Sequence, residues 1–173
     1  MTRQDGRVIG DRWGVSASEV ARRYPCDDFV PAPVLSAWRG VTVECAPAEL
    51  WPWVAQIRLG PYSYDWIDNL GRRSPQQLRG LPEPRPGENF TSAFAGRPLG
   101  RILSVAPQEH LTAWIAGAVM SYVLVSEERT TRLLLKIVLS RGRIVAPLVS
   151  VGDLVMARRQ LLNLKRLAES SRN

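Results

Sequence analysis

Few residues of this chain have types and spacings that could do chemistry. Its single histidine, His110, is the one imidazole able to shuttle a proton near neutral pH, and it opens an alternating run that places it on one face with Thr112 and Trp114. Cys26 and Cys45 lie far apart with no partner at metal-ligand spacing, so with one histidine they exclude a zinc site of the usual kind. They read as two reduced thiols, since a chain of this size needs no disulfide. Residues 96–100 hold two glycines around Arg97, Pro98 and Leu99, which is not a phosphate-cradling loop, and no nucleophile-elbow motif supports a serine triad. No cofactor and no metal is expected.

The remaining candidates are polar or aromatic groups inside apolar runs. Arg39 alternates in phase with Val41 and Val43, and so faces the interior of a sheet. A buried guanidinium needs a partner, either a ligand carboxylate held bidentately or an internal acid such as Asp65 or Asp68. Tyr62, Tyr64 and Trp66 form an aromatic cluster that either flanks a flat ligand or fills core. Asp65 is a general acid or base if buried, and otherwise a cap or salt-bridge partner. Trp114 and Tyr122 are central enough to line a cavity or simply to pack.

These side chains are positioned by a recognisable order of elements. Ser16 and Glu19 form a capping box for a short helix stopped at Tyr24 and Pro25, and Asp27 to Pro33 reads as an extended loop. Ser36 to Cys45 alternates as a strand. Pro47 suits the first turn of a helix with Leu50, Val54 and Ile57 on one side, in which Pro52 implies a kink or a frayed turn. Tyr62 to Leu70 reads as a second short helix, and residues 72–87 as a loop rich in proline and arginine.

Five strand-like runs follow: Glu88 to Phe94, Leu99 to Val105, His110 to Ala116, Val119 to Glu127 and Thr131 to Ser140. In the last, Leu133, Leu135, Ile137 and Leu139 share one face while Arg132, Lys136 and Ser140 share the other, which describes a sheet with one wet side. Short turns between the runs imply an antiparallel meander. A closing helix from about Ser150 to about Ser170 carries the stripe Leu154, Ala157, Leu161, Leu164 and Ala168, with Arg159, Asn163 and Arg166 opposite. Burying its leucines contributes roughly 1.5–3 kcal/mol each.

The 173 residues, 45% hydrophobic, suffice for one core, so the expected organisation is an N-terminal extension over residues 1–33 and a single domain over 34–173. Val8 and Ile9 sit among charges and do not form a secretion signal, and no run spans a bilayer; a cytoplasmic location is expected. The net charge of +7 comes from basic residues that are all arginine except Lys136 and Lys165. That charge implies nonspecific attraction to polyanions but, with no recognition motif, no specific nucleic-acid partner.

Particular residues sharpen this outline. Trp38-Arg39-Gly40-Val41-Thr42-Val43, Ala46-Pro47, Leu50-Trp51-Pro52-Trp53-Val54, Tyr62-Ser63-Tyr64-Asp65-Trp66 and Arg158-Arg159-Gln160-Leu161-Leu162 resemble the SRPBCC superfamily, relatives of START lipid-transfer domains and the birch-pollen allergen. They are most similar to its bacterial polyketide cyclase/dehydratase-like members, from about Asp11 to Ala168.

The resemblance implies an α+β helix-grip fold, a curved antiparallel sheet of about six or seven strands wrapped around the C-terminal helix. It also implies a cavity for a hydrophobic small-molecule ligand, lipid- or polyketide-like. Arg39, Tyr62, Tyr64, Trp66, Trp114, Tyr122, Leu154, Ala157, Leu161 and Leu164 are the candidate ligand-binding residues. Three functions stay open: a carrier; a cyclase or dehydratase-like enzyme using Arg39, Tyr64 or Asp65 in the same cavity; and a surface protein whose Arg159, Lys165 and Arg166 meet an anionic membrane or acidic partner. The chain is expected to be a monomer or homodimer.

Overall fold

The computed structural model describes residues 11–60, 62, 74–93, 97–140 and 147–171. Seven strands form one sheet: β1 (Arg12–Trp13), β2 (Leu35–Val43), β3 (Asn89–Ala93), β4 (Arg97–Ala106), β5 (His110–Ile115), β6 (Ala118–Glu127) and β7 (Thr130–Leu139). Their spatial order is β1-β2-β7-β6-β5-β4-β3, with β1 parallel to β2 and every other pair antiparallel. The five runs expected after residue 88 are all strands, with slightly displaced ends. The turn from β5 to β6 consists of Ala116 and Gly117, both with positive φ (49° and 91°), the backbone that a two-residue hairpin loop demands. In β4 the register shifts between Ile102 and Ser104, so Leu103 is a bulge residue that turns the strand locally.

Four α-helices accompany the sheet among the described residues: α1 (Ala17–Ala21), α2 (Cys26–Phe29), α3 (Pro47–Ala55) and α4 (Pro147–Ser170). The capping box of α1 is formed as expected, Glu19 N donating to Ser16 Oγ at 3.2 Å and Ser16 N to Glu19 Oε2 at 2.7 Å. Helix α3 starts on Pro47, passes Pro52 and tightens into a 3-10 turn over Gln56–Leu59. Helix α4 starts at Pro147, earlier than the Ser150 cap implied, because proline is already set for a first helical turn. The expected short helix over Tyr62 to Leu70 lies, apart from Tyr62, outside the described residues.

On its inner face the sheet meets α3 and α4. Helix α4 runs along β2 and is pinned at its C-terminal end, where Lys165 Nζ donates to Thr42 O at 2.7 Å and Glu44 N donates to Glu169 Oε1 at 2.8 Å. Ala157, Leu161, Leu164 and Ala168 are buried in the same core as Val41, Val43, Leu133, Leu135 and Ile137. The side chain of Leu154 lies outside the described set.

The outer face corrects two expectations. Residues 27–33 are not wholly extended, since α2 begins at Cys26, and the outer face is not wet. Tyr24, Cys26 and Val30 pack there on Val119, Val123, Leu134 and Val138. Lys136, expected in solvent, is buried with its Nζ 2.5 Å from Asp27 Oδ1 and lies over the rings of Tyr24 and Trp38. Arg132 is bonded to Glu19 through Nε (2.8 Å) and Nη2 (3.0 Å), and also to Gly14 O and Thr42 Oγ1. Alternation shows which residues share a face but not what covers it; here two cations meet carboxylates carried in by the N-terminal segment.

Candidate functional site

Register defines the inner face row by row. Arg39 lies opposite Leu135, which lies opposite Tyr122, which lies opposite Leu111. The next row runs Ala37, Ile137, Met120, Ala113 and Ile102, and the last Leu35, Leu139, Ala118 and Ile115. Burial changes along these rows. Beneath the C-terminal half of α4 packing is closed, with Leu161, Leu164, Leu133 and Val43 all at 0% exposure. In the middle row Ala113 and Ile102 are also at 0% and Met120 is at 8%, and in the last row Ala118 is buried while Leu35, Leu139 and Ile115 are only partly buried.

A polar pair sits in this interior. Tyr122 Oη donates to Gln160 Oε1 at 2.6 Å and also contacts Met120 Sδ at 3.6 Å, all buried between β6 and α4. Gln160 is not among the ligand-binding candidates of the sequence, where it stands only within the Arg158–Leu162 motif, yet its spacing signals its place. Three residues after Ala157 and four before Leu164, it falls on the buried stripe.

The other candidates are distributed unevenly. Arg39 is buried on the inner face as its phase implied, but its Nη1 donates to the carbonyls of Asp11 (2.8 Å) and Trp38 (2.7 Å), which fastens β1 to the sheet. Asp65 and Asp68, its expected acids, lie outside the described residues, as do Tyr64 and Trp66.

Tyr62 is a buried junction. Its Oη accepts from Gln56 Nε2 at 2.7 Å, its N donates to Ser74 Oγ at 3.0 Å, and its carbonyl accepts from Asn163 Nδ2 at 2.8 Å. These bonds hold it at φ 54°, a left-handed conformation that costs a residue of this type roughly 1–3 kcal/mol. Gln56 extends the junction by accepting from Arg79 N at 2.7 Å and donating to Gln77 O at 3.0 Å, which seats the loop after residue 74.

Trp114, expected to line the interior, is on the outer face and 46% exposed. Strand parity explains it, because Leu111, Ala113 and Ile115 face inward and Trp114 therefore faces out with Thr112 and His110. His110 is thus remote from the interior; its Nε2 lies 3.3 Å from Ser104 Oγ, and burial pushes its pKa down against a smaller opposing pull from Glu109. Cys26 is fully buried, and desolvation raises its thiol to about 11. Among the described residues no group of three His, Cys, Asp or Glu side chains could hold a metal ion.

On the solvent side of α4 the basic residues are partly engaged. Lys165 Nζ is 2.7 Å from Glu169 Oε1, Arg166 Nη2 donates to Gln76 Oε1 at 2.9 Å, and Arg158 stacks over Trp13.

No family model matches the chain, and no curated protein matches it significantly. Solved structures do. A Mesorhizobium loti protein superposes with a TM-score of 0.56 at 17% identity, covering 79% of this chain and 98% of its own. The chain has the helix-grip fold.

The Aha1 dimer from Colwellia psychrerythraea gives a TM-score of 0.52 at 13% identity, over 81% of this chain and 100% of that one. The AHSA1-like protein from Aeromonas hydrophila gives 0.50 at 16% identity, over 79% and 94%. At these identities the shared feature is the helix-grip architecture itself: a sheet, a long C-terminal helix lying along it, and an interior between them. No helix among the described residues is long and apolar enough to cross a membrane.

Proposed function

We propose that this helix-grip protein binds an apolar small molecule between the inner face of the sheet and α4, at the end bordered by Ala118, Met120, Ile137 and Ala157. The observation that carries this reading is the uneven burial of the inner face: Leu161, Leu164, Leu133 and Val43 are shut off from solvent, whereas Leu35, Leu139 and Ile115 of the last row are only partly buried. Ala118, Met120 and Ala157 in this core are small or flexible. Alanines leave room, and Met120 is unbranched and able to repack around different shapes. Tyr122 and Gln160 mark the inner limit with polar groups, as ligand sites with mostly apolar linings and a few orienting atoms do.

The test uses N-phenyl-1-naphthylamine, an uncharged apolar dye that brightens when it leaves water. Saturable binding near one dye per chain is expected. Ala157→Trp, which adds bulk to the inner stripe of α4, should weaken it at least about tenfold, equivalent to about 1.4 kcal/mol. The outward-facing Trp114→Ala should leave it unchanged. No saturable binding to the unaltered protein, or equal binding by a folded Ala157→Trp variant, would refute the assignment.

A further inference from the structure

Aromatic side chains with a polar handle almost always find a hydrogen-bond partner when buried. The described tyrosines obey this rule: Tyr24 Oη donates to Glu19 O at 2.8 Å, Tyr62 Oη accepts from Gln56 at 2.7 Å, and Tyr122 Oη donates to Gln160 at 2.6 Å. On α3, the indole of Trp51 donates to Glu83 Oε2 at 2.9 Å. Two residues later the pattern breaks. The Trp53 Nε1–H is buried with no acceptor among the described residues, although the side chain is only 2% exposed and belongs to the same inner core as Tyr122, Met120 and Ala157. Among the described residues Trp38 is the other buried indole without an acceptor, but it lies on the outer face and its ring already carries Arg12 and Lys136.

An unmet donor in a dry interior is costly, and the cost is present whether or not anything is bound. It falls when an acceptor arrives. Since the Trp53 N–H has already left water, a ligand oxygen that reaches it gains a hydrogen bond without further desolvation of the donor. Helix α3 packs against α4, β6 and β7, and Trp53 shares one core with Ala118, Met120 and Ala157. A neutral oxygen suits this donor better than a carboxylate, because a charge brought into an apolar interior needs more than one neutral N–H to hold it.

We infer that the indole N–H of Trp53 reads the ligand, selecting neutral apolar molecules that carry an oxygen acceptor, such as a ketone, ester or ether, over hydrocarbons of the same shape. This inference rests on the interior binding site proposed above. The experiment compares 2-acetylnaphthalene with its isostere 2-isopropenylnaphthalene, in which a CH2 group replaces the oxygen. Both are titrated into the ¹⁵N-labelled protein and its Trp53→Phe variant, with the Trp53 indole resonance assigned through NOEs so that the wild-type result stands without the variant.

The expected result is a downfield shift of the Trp53 indole proton with the ketone and not with the alkene. The ketone-to-alkene affinity ratio should also fall about tenfold or more in Trp53→Phe, as loss of a desolvated hydrogen bond implies. Taking the ratio cancels any change in pocket volume caused by the smaller ring. If both probes bind but the indole proton ignores the ketone, or the ratio is the same in a folded variant, the inference falls while the binding site stands. If neither probe binds saturably, the site and the inference fall together.

Discussion

Glu19 closes the capping box of α1 with one oxygen and receives Arg132 of β7 with both. Burial alone would push its carboxyl up, but the bonds and charge from Arg132 and the Ser16 N–H outweigh this and hold it below the ordinary glutamate value. A group with a lowered folded-state pKa contributes stability that is complete above its unfolded value and is lost as pH falls through the folded one. His110 has the same sign, since burial lowers its pKa and the unfolded chain therefore takes up that proton first. Unfolding free energy from urea titrations should accordingly rise from about pH 3 to about pH 8, in a carboxylate step and a histidine step. Glu19→Gln should shrink the first step and leave the second. An undiminished acid step in that variant would show that the Arg132 contact contributes nothing to folding.

Among the elements, the N-terminal segment has the largest energetic role that its sequence conceals. Tyr24 is almost wholly buried, with its phenol pushed up to about 12 by desolvation, and it forms one wall of the slot that holds Lys136. Tyr24→Ala should destabilise the protein by about 3–5 kcal/mol, the range for emptying a buried aromatic site, measured as a lowered urea midpoint at constant m-value. A loss below about 1 kcal/mol would mean that the segment merely rests on the sheet.

The strands, the capping box and the C-terminal stripe were legible in the sequence because each depends on local periodicity or on a pair three residues apart. The covered outer face was not, because Arg132 and Lys136 look like solvent-facing residues until their partners at 19 and 27 come together in space. The one-turn α2 is too short to show a period. Trp114 differs for a simpler reason: centrality made it a candidate for the cavity lining, whereas alternation groups it with His110 and Thr112 on the face opposite Leu111 and Ala113. The candidate site was legible only in outline. Tyr122 and the α4 stripe, with Gln160 in its phase, could be read, while Trp53 matters through a missing contact that no linear pattern records.

At the scale of the whole molecule, the question is whether the net charge of +7 is gathered into a working surface. The face of α4 is the place where sequence suggested it could be, with Arg159, Lys165 and Arg166. The structure disperses that charge: Lys165 is bonded to Thr42 O and paired with Glu169, and Arg166 reaches sideways to Gln76. The Lys165–Glu169 pair is worth little to stability but offsets one cation locally, the neutral Gln76 leaves the charge of Arg166 in place, and at physiological salt exposed charges are screened over about 8 Å. Any attraction to an anionic surface should therefore come from arginines spread over the whole protein. Co-sedimentation with anionic phospholipid vesicles at low salt should be weak, should vanish near 0.15 M salt on the order of the screening argument, and should survive Arg159→Ala with Arg166→Ala largely intact. Retention at physiological salt that this double substitution abolishes would instead make α4 a membrane-facing surface, and would move the protein's function from the interior to the exterior of the grip.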